Sequence, residues 1–141
     1  MNGCELCSTS GGELLFADAR LRVVAVEDVL HPGFCRVIWQ SHAREMTDLD
    51  EQERGHLMGA VFATERALRE VLQPDKINLA SLGNVTPHLH WHVIARFRQD
   101  PHFPAPIWAA ERHRTPVLLS AGWRAAVGAR LADFLRSRID A

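Results

Sequence analysis

The sequence predicts an α+β fold, an antiparallel sheet of about five strands with one long helix and a C-terminal helix packed on it. Three observations carry that expectation. Short apolar segments rich in β-branched residues alternate in side-chain polarity, as half-buried strands do. A single long stretch repeats its apolar residues every three or four positions, as a helix does. The order of these segments is β-β-β-α-β-β-α, and 141 residues suit one domain spanning 1–141.

Taken in order, residues 1–12 are small, polar and glycine-containing, and they carry Cys4 and Cys7. They read as an N-terminal loop or knuckle. Residues 13–16 form a first strand, Ala17-Asp18-Ala19 breaks it, and residues 20–27 (RLRVVAVE) return as the second arm of a hairpin. Leu30-His31-Pro32-Gly33 is turn chemistry, because proline fixes one dihedral and glycine permits the next. Residues 34–39 (FCRVIW) are the third strand.

Asp48 is placed to cap the long helix, with Glu51 three residues on. Leu57, Met58, Val61, Phe62, Leu68, Val71 and Leu72 form its apolar stripe, and the helix ends near Gln73, ahead of Pro74. Residues 76–82 (KINLASL) alternate as a strand, Gly83-Asn84 turns, and residues 88–97 (HLHWHVIARF) form the most apolar strand. Four prolines between 99 and 116 predict an irregular excursion, and residues 119–139 close the chain as an amphipathic helix.

Composition excludes several function classes. With 16 basic and 17 acidic side chains the net charge is −1, which argues against a general polyanion binder such as a nucleic-acid protein. No run reaches membrane-span length, and the first twenty residues lack the basic start and apolar stretch of a signal peptide, so a cytoplasmic protein with no membrane partner is expected. Cys4, Cys7 and Cys35 are too few and too sparse for a disulfide framework.

Three of the eight histidines stand at 88, 90 and 92. On a strand they share one face at intervals of ~7 Å, while Leu89, Trp91 and Val93 turn to the core. A neutral imidazole can attack phosphorus and a protonated one can donate to a leaving group. The same lone pairs could instead hold a catalytic metal, and the plainest alternative is a solvated polar face. Cys4-x-x-Cys7 has the spacing of half a zinc site, although such a pair can also be redox-active or incidental. Cys35 reads as a small packed residue; His31, His56, His102 and His113 read as scattered and solvent-facing. Trp39, Trp91 and Trp123 read as core or interface, Trp108 as the tryptophan that could approach a ligand, and Arg124, Arg130, Arg136 and Arg138 as a wet helix face.

Pro87-His88-Leu89-His90-Trp91-His92-Val93-Ile94 matches the motif His-φ-His-φ-His-φ-φ, with φ apolar, at every position. It resembles the histidine triad (HIT) family, and the likeness extends over about residues 4–98 through Ser41-His42, Asn78, Gly83-Asn84 and Arg96-Phe97, which implies a core of about 4–98 with a C-terminal extension over 99–141. The resemblance implies a nucleotide-conjugate hydrolase or nucleotidyl transferase that acts at the α-phosphate through a covalent nucleotidyl-histidine. Carried over by position, His90 is the nucleophile, with His88 and His92 orienting it, binding phosphate oxygens and assisting the leaving group. Asn78 and Asn84 fall where the family contacts phosphate, and Glu27 or Asp28 where an acidic residue holds the ribose hydroxyls. Many members have glutamine followed by serine or threonine where this chain has Asn84 and Val85, a departure that removes a hydroxyl. The resemblance also implies a structural Zn²⁺ closed by Cys4, Cys7, His42 and His88, no organic cofactor, a purine nucleotide conjugate as the partner, and a homodimer. A nucleotide-binding or sensing protein without turnover stands as the second reading.

Overall fold

The computed structural model of the chain describes residues 3–139, with side chains through Arg136, so the Arg138 side chain lies outside the described residues. Five apolar segments extend and pair antiparallel as β1 (Glu13–Ala17), β2 (Leu21–Ala25), β3 (Phe34–Trp39), β4 (Lys76–Ala80) and β5 (His90–Arg96). Their spatial order is β1-β2-β3-β5-β4. Consecutive strands β1 to β3 form a meander, α2 (Glu51–Leu72) carries the chain over one face, and β5 then returns into the gap between β3 and β4. The last strand is therefore an interior one, which suits its nearly continuous burial. A short α1 (Glu5–Ser8) precedes the sheet and α3 (Trp123–Ile139) closes the chain. This is the α+β architecture that the alternation predicts.

Register fixes what each face carries. His92 stands opposite Arg36, which stands opposite Val24, and His90 stands opposite Ile38. Partners in a ladder share a face, so Val24, Arg36, Ile38, His90, His92 and Arg96 look to one side. The other side presents Leu21, Val23, Cys35, Val37, Trp39, Val93 and Ala95 to Leu57, Val61 and Leu68 of α2 and to Trp123, Val127, Leu131 and Leu135 of α3. Each such aliphatic side chain contributes about 1.5–3 kcal/mol when fully buried. Cys35 is one of these packed residues, and burial pushes its thiol up to about 12.

Several expectations need correction. The cap of α2 is Asp50, not Asp48: its carboxylate accepts the Glu53 N–H at 2.8 Å and Glu53 returns the bond to the Asp50 N–H. Asp48 instead closes a 3-10 turn over Met46–Asp48. Two Asp-x-x-Glu pairs overlap here, and the later one lets Leu49 be buried before the helix starts. Phe62 is 56% exposed because it stands one position off the seam marked by Leu57, Val61 and Leu68. The helix at the end begins at Trp123 rather than 119, and β5 begins at His90 rather than His88.

Candidate active site and metal cluster

The N-terminal knuckle is fastened to the triad face by one buried cation. Arg22 donates from Nε to the Ser10 carbonyl at 2.9 Å and from Nη2 to the carbonyls of Leu6 and Thr9 at 2.7 and 3.0 Å. Leu6 then packs on Val24 and Ile38 of the same face. That docking brings Cys4 and Cys7 beside His42, which follows β3, and His88, which precedes β5. His88 Nδ1 lies 3.4 Å from both Sγ atoms, and His42 Nδ1 lies 3.4 Å from Cys7 Sγ. All four ligand atoms fall within 4.8 Å of one another.

These distances test the donor set. A tetrahedral Zn²⁺ with Zn–S near 2.3 Å and Zn–N near 2.0–2.1 Å requires S···N separations of about 3.5 Å. The arrangement fits. His88 Nε2–H donates to the Trp39 carbonyl at 2.6 Å, which fixes the tautomer and leaves Nδ1 as the donor atom aimed at the sulfurs.

The triad itself is not the exposed strip of imidazoles that strand alternation predicts. His88 is fully buried, and His90 and His92 are 7% and 6% exposed. The N-terminal knuckle covers one end of this face, and the stretch after β5 covers the other. His90 Nδ1–H donates to the His88 carbonyl at 2.6 Å, so the lone pair is on Nε2. His92 stands edge-on to His90 at 4.9 Å between ring centroids, and is flanked by Phe34 at 5.5 Å and Trp108 at 5.2 Å. Burial pushes the pKa values of all three down, His92 to about 4, and the nearby Arg36 charge adds to the shift at His90 and His92. At neutral pH the triad is uncharged.

Asn78 lies on the triad face of β4, and its side-chain oxygen accepts from Arg96 Nη1 at 2.7 Å. Asn84 is exposed on the loop before the triad, next to Val85, which is 96% exposed. Glu27 is exposed and lies 3.9 Å from Arg124 of α3, whereas Asp28 Oδ1 caps the following turn by accepting the N–H groups of Leu30 and His31.

Other groups at the site carry weaker sequence signals. His31 and His102, expected in solvent, are 3% and 4% exposed and share a proton between Nε2 and Nδ1 at 2.7 Å. His56, also expected in solvent, is tied to Asp18 at 2.7 Å, while His113 is exposed. Asp100 holds the excursion together. Its carboxylate takes both arms of the Arg96 fork and the N–H groups of Phe97, His102 and Phe103. Those donors hold its pKa well below the ordinary carboxylate range despite burial. Arg36, opposite His92, is a further polar member of the face. Its phase in FCRVIW, shared with Phe34 and Ile38, is the signal that could have found it.

Residues 12–99 match the HIT domain model. The chain belongs to the HIT family. A curated relative, an uncharacterized HIT-like protein of Saccharolobus solfataricus, is 30% identical over 87 residues, and the match spans 57% of this chain and 63% of that relative. The crystal structure of a histidine triad protein from Bradyrhizobium japonicum superposes with a TM-score of 0.71 at 29% identity, covering 88% of this chain and 90% of that one. A Zn-bound histidine triad family protein from Mycobacterium smegmatis shares the fold at 20% identity, with a TM-score of 0.67 and coverage of 96% and 97%. The HIT fold is thus the frame on which the two clusters sit, and no helix among the described residues is long and apolar enough to cross a membrane.

Proposed function

We propose that this HIT protein is a nucleotide-conjugate hydrolase or nucleotidyl transferase that works through a covalent nucleotidyl-histidine on His90. The observation that carries the reading is the 2.6 Å bond from His90 Nδ1–H to the His88 carbonyl. It presents an unprotonated Nε2 on a buried, uncharged imidazole, as an imidazole nucleophile requires. Nε2 attacks the α-phosphorus, a P–N bond forms, and the bond to the leaving group breaks with its electron pair going to that group. The Nδ1–H stays on the His88 carbonyl, which stabilises the positive charge of the substituted ring. Water then adds to phosphorus and loses a proton to solvent, the P–N bond breaks with its pair returning to Nε2, and a nucleoside monophosphate leaves.

Both nitrogens of His88 are committed, so its part is to position His90. Help to the leaving group falls to His92, whose Nδ1 is buried without a partner. Asn78, turned by Arg96, and Asn84 would bind phosphate oxygens. Of the two acidic candidates for the ribose hydroxyls, Asp28 is favoured, because Glu27 is drawn to Arg124. Cys4, Cys7, His42 and His88 would hold Zn²⁺, whose contribution when bound is structural, tying the knuckle to the residue that orients the nucleophile. The metal donors gather away from His90 and His92, which favours this reading over a triad-bound catalytic ion.

The test is turnover of an adenosine phosphoramidate and a diadenosine polyphosphate by the wild type and His90→Ala. Loss of roughly 10³-fold or more in kcat is expected with at least one substrate. Unchanged turnover in the variant sinks the nucleophile assignment, and tight nucleotide binding without turnover by the wild type would favour a sensing role.

A further inference from the structure

Arg36 is a cation without an anion. It lies on the triad face directly opposite His92, half-buried between the N-terminal knuckle and the Phe34 ring. Its Nη1 reaches only the Gly11 carbonyl, at a long 3.5 Å, and its Nε is buried with no partner. Among the described residues no carboxylate pairs with it, and Glu5 is the acidic group whose field reaches it. Arg22 on the neighbouring strand is the contrast, since its guanidinium is saturated by protein acceptors. Removing an arginine from water is costly unless its donors are satisfied. A fold that saturates one guanidinium and leaves the other without an anion, its charge felt at both His90 and His92, has a use for the second.

We propose that Arg36 is the subsite for a second phosphate, the first one of the leaving group, and that it selects phosphoanhydride conjugates over phosphoramidates. This rests on the reading of His90 as the nucleophile. With the α-phosphoryl group over His90, Arg36 stands one strand across and one residue pair along on the same face, opposite His92. A planar fork of donors there matches the oxygens of the next phosphate. The chemistry discriminates by charge. A departing phosphate gains negative charge as the anhydride bond breaks, and Arg36 stabilises it most at that moment. A phosphoramidate nitrogen instead takes up a proton from solvent as the P–N bond breaks and leaves as a neutral amine, so it presents no anion for Arg36 to stabilise. The exposed Val85 on the loop before the triad offers no side-chain donor for this task.

The experiment compares wild type, Arg36→Gln and Arg36→Lys with a diadenosine polyphosphate and an adenosine phosphoramidate, and measures inorganic pyrophosphate binding by calorimetry. Arg36→Gln is expected to lower kcat/KM for the anhydride about 10- to 100-fold, with the phosphoramidate changed less than about threefold. Arg36→Lys keeps the charge but loses the fork, and its loss should be smaller and equally selective. It serves as the folded comparison if the glutamine variant is unstable. Pyrophosphate affinity should fall by a similar 10- to 100-fold in Arg36→Gln. Equal losses with both substrates, no loss with either, or unchanged pyrophosphate binding would overturn the assignment. Should the wild type turn over neither substrate, the His90 reading fails, and the pyrophosphate arm still decides for or against Arg36 as an anion subsite.

Discussion

The backbone carbonyl of His88 accepts the Nδ1–H of His90 at 2.6 Å, while the ring of the same His88 stands 3.4 Å from the sulfurs of Cys4 and Cys7. One residue therefore joins the metal cluster to the proposed nucleophile, through its side chain on one side and its main chain on the other.

Metal removal should consequently slow turnover without abolishing the nucleophile. Chelation, or Cys4→Ser, is expected to lower activity about 10- to 100-fold, the usual cost of loosening an orienting shell, and to lower the melting temperature. His90→Ala should keep one zinc per chain while losing activity. Elemental analysis alongside kcat checks both, and a zinc content that follows His90 rather than Cys4 would place the metal on the triad.

Stability should fall on acidification in a defined window. The His92 pKa is lowered from 6.5 to about 4 by burial first, then by His90 and Arg36, and those of His31, His88 and His90 are lowered as well. Between those two values the unfolded chain takes up protons that the folded chain refuses, so stability is complete above about pH 6.5 and is lost toward about pH 4. Urea unfolding at about pH 7.5 and about pH 5 should show the decrease, and His92→Asn should show less of it. Equal stability at both pH values would mean that the ring is not desolvated. The acid limb of kcat/KM should likewise lie below 6.5, the ordinary histidine value.

The excursion after β5 depends on one ion pair. Arg96 and Asp100 side chains are each 2% exposed and 2.8 Å apart, so Asp100→Asn leaves a buried guanidinium without its counter-charge. The expected loss is about 3–5 kcal/mol, or roughly 10–17 °C in melting temperature. Glu111→Gln, which breaks the exposed Arg114 pair, should cost less than about 0.5 kcal/mol. Calorimetry on the two variants distinguishes them.

Much of this was legible from local pattern. Period-two alternation marks β2, β3 and β5 because each has an apolar side to bury; the cysteine spacing marks only half a metal site, and it is the family resemblance that adds His42 and His88 as the other two donors. What stayed hidden depends on partners distant in sequence. His31 and His102 look solvated until a turn organised by Asp100 brings them together across 71 positions. Arg36 looks like an ordinary polar residue in a strand until β5 inserts beside β3 and sets His92 opposite it. The burial of the triad has the same origin, since Trp108 reaches His92 from an excursion that carries no periodic signal.

The most direct test of His90 as a nucleophile is to trap its adduct. Protein mixed with a phosphoramidate or dinucleoside polyphosphate, quenched within a single turnover and analysed by intact mass and peptide mapping, should carry one nucleotidyl group on His90, with none in His90→Ala. Turnover by the wild type with no adduct, or an adduct that persists in the variant, would contradict it.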